Sequence, residues 1–367
     1  MPPKLPELTK EKAAYLASRG KSRSEIRDKL GISEASVTRL LREAYDTDKI
    51  LINAPPELNL RNPALEGKLE RELFGEDELF SKLRGKSKQR LKMLRVFDVS
   101  ENASIGEGFS SAAADFIVVN YFTKSTKVAV TWGATITSLV DAVQKAAPLL
   151  RPHEKSRKGL EFFQVCGDPP GSNANPLQRS STLVAQLVRA LTPSQTPKNT
   201  FSVEAAIPSS FSEHELDVIR SYIQNIQGYG NVFKAAPGGR QRLAFEPDYL
   251  LTSCSSGQNK QDQWLSDCAD ISGMKPGELA NLVVGNLGGY WLPKSGLGKR
   301  EQKFLDDINA RWVGIGLEDI NDIAKRGGVI LLAFEEYKAE IVMELVERRL
   351  ISSLLISSQL AKKIKKL

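Results

Sequence analysis

Gly31-Ile32-Ser33 joins two short amphipathic segments by a turn so tight that the segments must cross and pack on each other. Ser22 followed by Glu25 is a capping box, which starts the first helix at Arg23. Ile26 and Leu30 lie four apart on one face, and Gly31 supplies the left-handed residue that stops the helix. Ser33 then caps a second helix with apolar positions Val37, Leu40, Leu41 and Ala44. Glu34, Ala35, Ser36, Thr38, Arg39 and Arg42 are left facing away from that core. They are small, hydroxylated, charged or basic, which suits a helix entering a major groove. A preceding helix over 10–19, after Thr9, supplies the third packing partner. An ordinary helical hairpin would carry similar caps. Turn position, core spacing and exposed chemistry agree on a DNA-reading helix-turn-helix. In that reading Ser36, Thr38 and Arg39 contact bases, with Arg39 on a guanine, and Ser33, Glu34 and Ala35 complete the interface. Arg23 and Arg42, near helix ends, contact phosphates.

The remaining composition narrows the classes. A chain of 367 residues suits a small module plus a larger one, and a net charge of +7 suits a polyanionic partner without requiring one. Three cysteines, Cys166, Cys254 and Cys268, are widely spaced, odd in number and in no ligand pattern, as in a reducing compartment. Two histidines, His153 and His214, leave little room for a histidine metal site or a Ser-His-Asp triad. No apolar run approaches the roughly twenty residues of a membrane span, and the N-terminus lacks an apolar signal core. The expectation is a cytoplasmic protein with no cofactor, no metal and no membrane partner.

Three regions follow: a helix-turn-helix domain over 1–52, a linker over 53–66 around Asn53-Ala54-Pro55-Pro56, and a larger domain over 67–367. Ile50-Leu51-Ile52 reads as a short strand. A polar helix with a sparse stripe of Leu65, Leu69, Leu73, Leu79 and Leu83 either connects the domains, pairs with a second copy, or packs on its own domain. Between 81 and 95 stand Lys82, Arg84, Lys86, Lys88, Arg90, Lys92 and Arg95 with no acidic residue, either as solvated surface or as a non-specific phosphate contact. Short apolar runs over 95–99, 127–131, 161–165, 249–253, 282–284, 312–315, 329–333 and 353–356 read as strands. Helical patterns over 135–147, 180–191, 213–226 and 338–348 lie between several of them. This alternation predicts an α/β domain with a mostly parallel sheet covered on both faces. Residues 112–122 fit either a helix or a strand.

Val128 to Ser138 describes a buried strand, a glycine turn at Gly133 and a helix opening on Ala134, Thr135, Thr137 and Ser138. Free amides and hydroxyls at such a terminus would cradle a phosphate or a polyol, although an ordinary threonine-capped turn looks the same. The stretch matches neither common nucleotide fingerprint. Ligands in open α/β sheets bind beyond the carboxyl ends of strands. Asp168, Arg179, Ser255, Glu335, Glu336 and Lys338 all follow predicted strand ends and would meet at that rim.

These motifs together resemble the SorC/DeoR-type sugar-binding transcriptional regulators of bacteria. EIRDKLGISEASVTRLLREA is similar to that family's helix-turn-helix, and WGATITSLVDAV to its G-x-x-W-G-x-T turn. PDYLLTSCSS, ANLVVGNLGGYWLPKSG, RWVGIGLEDINDIAKRGGVILLAFEEYKAEI and LISSLLISSQLAKKI follow in family order. The resemblance implies an effector domain with the fold of ribose-5-phosphate isomerase and glucosamine-6-phosphate deaminase. It implies a double-stranded operator, an effector that is a sugar, sugar phosphate or related metabolite, and a dimer or tetramer of the chain. Gly133, Thr135 and Thr137 would then hold the phosphate end of the effector and Lys338 an anionic or carbonyl group, with Arg179 approaching from the loop side; Ala134 and Ser255 belong to the same turns. No catalytic residue is implied. The chain departs from the pattern at Phe334-Glu335-Glu336, where the family has glycines, which adds bulk and negative charge beside Lys338. Glu34 stands where the family often has arginine. A regulator with a degenerate pocket and, less favoured, a sugar-phosphate enzyme are the rival readings.

Overall fold

The computed structural model describes residues 7–18, 21–46, 76–88, 90–97, 105–150, 157–169, 176–197, 199–236, 241–259 and 262–367. The strand expected at 50–52, the linker 53–66 and the leucines 65, 69 and 73 lie outside them. At the N-terminal end, α1 (Glu7–Ser18), α2 (Arg23–Leu30) and α3 (Glu34–Asp46) share a core of Ala13, Leu16, Ile26, Val37 and Leu40. Both arms of the capping box form: Ser22 N donates to Glu25 Oε2 at 2.7 Å and Glu25 N to Ser22 Oγ at 3.3 Å. Gly31 adopts the left-handed conformation, φ 62°, and its amide closes α2 on the Arg27 carbonyl. The first helix begins before Thr9, which is therefore inside it rather than at its cap.

Helix α4 (Glu76–Lys86) buries Leu79 and Leu83 in the core of the larger domain, so this part of the leucine stripe packs on its own domain. Four of the basic residues between 82 and 95 are engaged with the same domain, while Lys82, Arg84 and Lys88 are exposed. Lys86 pairs with Glu347 at 2.6 Å, Arg90 donates to Asn321 and to the Arg349 carbonyl, and Lys92 donates to the Arg326 carbonyl. Arg95 is buried over the Phe116 ring.

The remaining elements are β1 (Met93–Phe97), α5 (Ile105–Asn120), β2 (Lys127–Val130), α6 (Ala134–Leu150), β3 (Glu161–Gln164), α7 (Ser180–Leu191), α8 (Glu213–Gln224), α9 (Tyr229–Val232), β4 (Phe233–Ala235), β5 (Gln241–Leu243) and β6 (Tyr249–Ser256). They continue with α10 (Gln263–Ile271), α11 (Pro276–Leu282), β7 (Val283–Leu287), β8 (Tyr290–Pro293), α12 (Lys299–Ala310), α13 (Leu317–Arg326), β9 (Val329–Ala333), α14 (Ala339–Glu347), β10 (Ser353–Ser357) and α15 (Ser358–Lys365). The sheet runs β1-β10-β9-β6-β2-β3, parallel throughout, with β7 and β8 added antiparallel beyond the end of β6.

Strand β9 shows why the sequence reads as continuous apolar runs. Val329, Leu331 and Ala333 enter one core, while Ile330 and Leu332 enter the core on the opposite face. Side chains alternate between faces, and both faces are covered, so every position must be apolar. The ambiguous 112–122 segment lies in α5 as far as Asn120. Its β-favouring Ile117 and Val118 are buried with Phe109 and Ala113 against the sheet, so packing overrides local preference.

One predicted strand is corrected. Residues 312–315 make only isolated bridges, Trp312 to Ala206 and Gly314 to Cys166, because their partners are loop residues rather than a strand. The strand expected at 282–284 forms as β7, opening at Val283 after α11 ends at Leu282; it runs antiparallel, one arm of a hairpin turned by Gly288-Gly289 at φ 58° and 101°. Positive φ at both central residues is the geometry of a two-residue hairpin, which glycine adopts without steric cost.

Candidate functional sites

Glu34 and Ala35, at the start of α3, and Arg42, near its end, are exposed; Ser36, Thr38 and Arg39 are partly exposed on the same side. Ser33 Oγ accepts from Ser36 N at 3.2 Å, the cap expected from the sequence. Thr38 Oγ1 donates back to the Glu34 carbonyl at 3.1 Å. Arg39 leans along the helix, its Nε 3.9 Å from Glu43. Arg23, at the first position of α2, is exposed. The outer face of α3 is thus outside the head's core and carries hydroxyls and guanidiniums, with acceptors at Glu34 and Glu43.

At the carboxyl ends of the strands, Lys338 is 4% exposed and reaches over β6 from the segment after β9 to the helix after β2. Its Nζ donates to Thr135 Oγ1 at 3.1 Å and sits 2.7 Å from Glu335 Oε2. Thr135 lies in the first turn of α6, the positive end of that helix. Gly133, just before it, has φ 129°, and a Cβ there would stand 3.1 Å from Ser253 Oγ, so glycine alone brings the turn this close to β6. Its carbonyl accepts both the Thr137 amide and the Thr137 hydroxyl, at 2.9 and 3.0 Å, so Thr137 is turned into its own helix. Ala134 is exposed at the helix start.

Ser255 on β6 faces the carboxyl of Asp262, the N-cap of α10. Burial pushes that carboxyl above the usual carboxylate range, while Ser255, the amides of α10 and the charge of Lys338 pull the other way. Asp262 Oδ1 accepts from Trp264 N at 3.0 Å, whereas Oδ2 is buried without a hydrogen-bond partner, as is Trp132 Nε1. Cys254, beside these groups, has its thiol pushed up to about 12 by burial, so it stays protonated and inert.

Asp168 and Arg179 fall elsewhere. Asp168 is buried and takes hydroxyl hydrogen bonds from Ser180 and Ser181 at 3.2 and 3.0 Å, tying β3's end to the start of α7. Arg179 is exposed before α7 at the β3 edge of the sheet. Lys338, Thr135, Gly133 and Ser255 thus gather at the middle of the rim; Arg179 does not join them.

Known structures share this order of elements. The full-length sorbitol operon regulator SorC from Klebsiella pneumoniae is 15% identical, aligned over 97% of each chain with a TM-score of 0.52. A transcriptional regulator from Streptococcus pneumoniae TIGR4 is 17% identical over 80% of this chain and 97% of its own, with a TM-score of 0.58. A DeoR family transcriptional regulator from Listeria monocytogenes is 17% identical over 79% of this chain and 99% of its own, with a TM-score of 0.51. The fold is that of the SorC/DeoR-type regulators. No protein-family model and no curated protein matches the chain in sequence.

Within this SorC/DeoR fold, the sequence reading missed Asp262 and Trp132 as rim groups. An aspartate directly before the amphipathic 263–271 segment signals a cap, but its proximity to Lys338 depends on the sheet order. All four tryptophans of the chain, Trp132, Trp264, Trp291 and Trp312, meet in one aromatic cluster around Trp264, with ring centroids 5.2, 6.5 and 5.5 Å from it. That cluster backs the rim through Trp132. Among the described residues no group of histidine, cysteine and carboxylate side chains could hold a metal ion, and no helix is long and apolar enough to cross a membrane.

Proposed function

We propose that this protein is a DNA-binding transcriptional regulator whose operator affinity is set by a small effector bound at the strand-end rim. One observation carries the reading. The same chain holds a capped trihelical head with an unburied outer face on α3, and a sheet whose central strand ends gather a buried lysine, a helix terminus and unpaired polar atoms. The likeness to a full-length operon regulator across both parts supports it. We assign DNA reading to 1–52, a linker to 53–66, and effector sensing and self-association to 67–367. The effector is a sugar or related metabolite, as in the sugar-binding regulators the sequence resembles. A single helix-turn-helix grips little DNA, so the chain acts as a dimer or tetramer on a near-palindrome.

Catalysis at the rim is the weaker reading. Asp168 is engaged at α7, Glu335 is paired with Lys338, and Glu336 is exposed, so these carboxylates form no opposed acid and base. The Glu335–Lys338 pair also favours a second reading, a regulator whose pocket is closed to sugars. Gel-shift titration of a duplex that the protein selects from random DNA, with a panel of sugars, separates them. A true effector shifts operator affinity by about 5- to 150-fold, the usual range of allosteric coupling. Unchanged affinity with every compound, and no thermal stabilisation by any, leaves the closed-pocket regulator.

A further inference from the structure

The corner made by Lys338, Thr135 and Glu335 already holds an anion, and the anion belongs to the protein. Lys338 is buried, its ammonium lies against the hydroxyl of the first turn of α6, and the rings of Phe334 and Tyr337 flank it with centroids at 5.5 and 5.9 Å. A buried ammonium beside the positive end of a 17-residue helix is where a ligand's phosphate or carboxylate would be expected to sit. Here the Glu335 carboxylate stands 2.7 Å from the ammonium instead. Asp262 adds a second carboxyl within the same field. A phosphate entering this corner would give up its hydration and meet two carboxyl groups, with only a shared ammonium to compensate.

Resting on the effector reading above, we propose that Glu335 permanently fills the anion subsite of the rim, so that the effector is an uncharged, hydroxyl-rich sugar or polyol rather than a phosphorylated one. The polar atoms left over fit such a ligand. Asp262 Oδ2 is a buried acceptor that no donor meets in good hydrogen-bond geometry, with the Ser255 hydroxyl beside its carboxyl, and Trp132 Nε1 is a buried donor without an acceptor. A hydroxyl serves either role. Glu335 and Lys338 are three residues apart at the end of β9, so the chain carries the blocking charge in the same short segment as the lysine it blocks.

Calorimetric titration of the full-length protein tests this, with inorganic phosphate, glucose 6-phosphate, glucose and sorbitol as probes at matched ionic strength. Wild type is expected to ignore inorganic phosphate and glucose 6-phosphate. Glu335→Gln frees the ammonium and should bind both at least about tenfold more tightly than wild type, a gain of about 1.4 kcal/mol. The double variant Glu335→Gln/Lys338→Met should lose that gain, which excludes general anion stabilisation. Wild type binding glucose 6-phosphate more tightly than glucose overturns the inference and leaves the effector reading standing. Glu335→Gln gaining nothing, while wild type binds glucose or sorbitol, overturns the filled-subsite account alone. Indifference of wild type and variant to all four probes, with operator affinity unmoved, overturns both readings of the rim. Should Glu335→Gln fail to fold, wild type's preference between glucose and its 6-phosphate decides by itself.

Discussion

Glu25 carries a pH dependence that follows from its position three residues after Ser22. Hydrogen bonds from the Ser22 backbone, then from its hydroxyl and from Lys21, hold the carboxyl down to about 2. The unfolded chain titrates near 4.3, so the cap's contribution is full above that value and is lost as pH falls through the folded one. The amide chemical shifts of Ser22 and Glu25, followed by NMR, should therefore hold steady from neutral pH to about 5. They should move between about 4.3 and 2 as the cap opens, and Glu25→Gln should remove that transition at α2. Arg39→Ala is expected to relax preference at one base pair by about 1–3 kcal/mol, read by competition between duplexes; unchanged preference would show that α3 is misassigned as the reading helix. Residues of the first kind are legible in a sequence because cap and partner lie within one turn. Lys338 was legible through its place after a strand and through the family resemblance, and Asp262 was not, because its neighbours Ser255 and Lys338 are brought to it by strand order.

Two elements show where local pattern succeeds and where it stops. The parallel strands were legible because a sheet buried on both faces demands apolar runs, unbroken in β9 and over Leu354-Leu355-Ile356 in β10. The β7–β8 hairpin and the loop at 312–315 were not, since one is fixed by the handedness of Gly288-Gly289 and the other by partners at Ala206 and Cys166, far upstream in the sequence. A Cβ at Gly289 would stand 2.2 Å from the Trp312 ring at φ 101°. Gly289→Ala is therefore expected to cost about 2 kcal/mol or more in denaturant unfolding. Strand β5 is pinned to α13 by Arg242, which meets Asp319 at 2.7 Å, Asp322 at 2.9 Å and Glu318 at 3.0 Å. Asp319 is 7% exposed on its side chain, so Arg242→Ala strands a buried carboxylate. That loss should cost about 2 kcal/mol, discounted for the partly exposed arginine, while a change at the exposed Lys325–Asp322 pair should cost under about 1 kcal/mol.

Across the whole molecule, β1 pairs with β10, so the first strand of the larger domain is held by the last. The rim lies between β9, β6 and β2 at the centre of that open sheet, where a ligand touching Lys338, Ser255 and Thr135 would bridge three strands. Such a ligand can act on DNA only by binding one arrangement of the assembled chains more tightly than another, and that differential sets the size of the response. All of this presupposes that the head reads DNA. Selection of random duplex DNA by the purified full-length protein, followed by sequencing of the retained fraction, measures that directly. The account predicts enrichment of a near-palindrome with half-sites about 10 bp apart or a multiple of it, as two copies of α3 in successive major grooves require. Absence of any enriched sequence at low salt, with the protein folded and assembled, would contradict it.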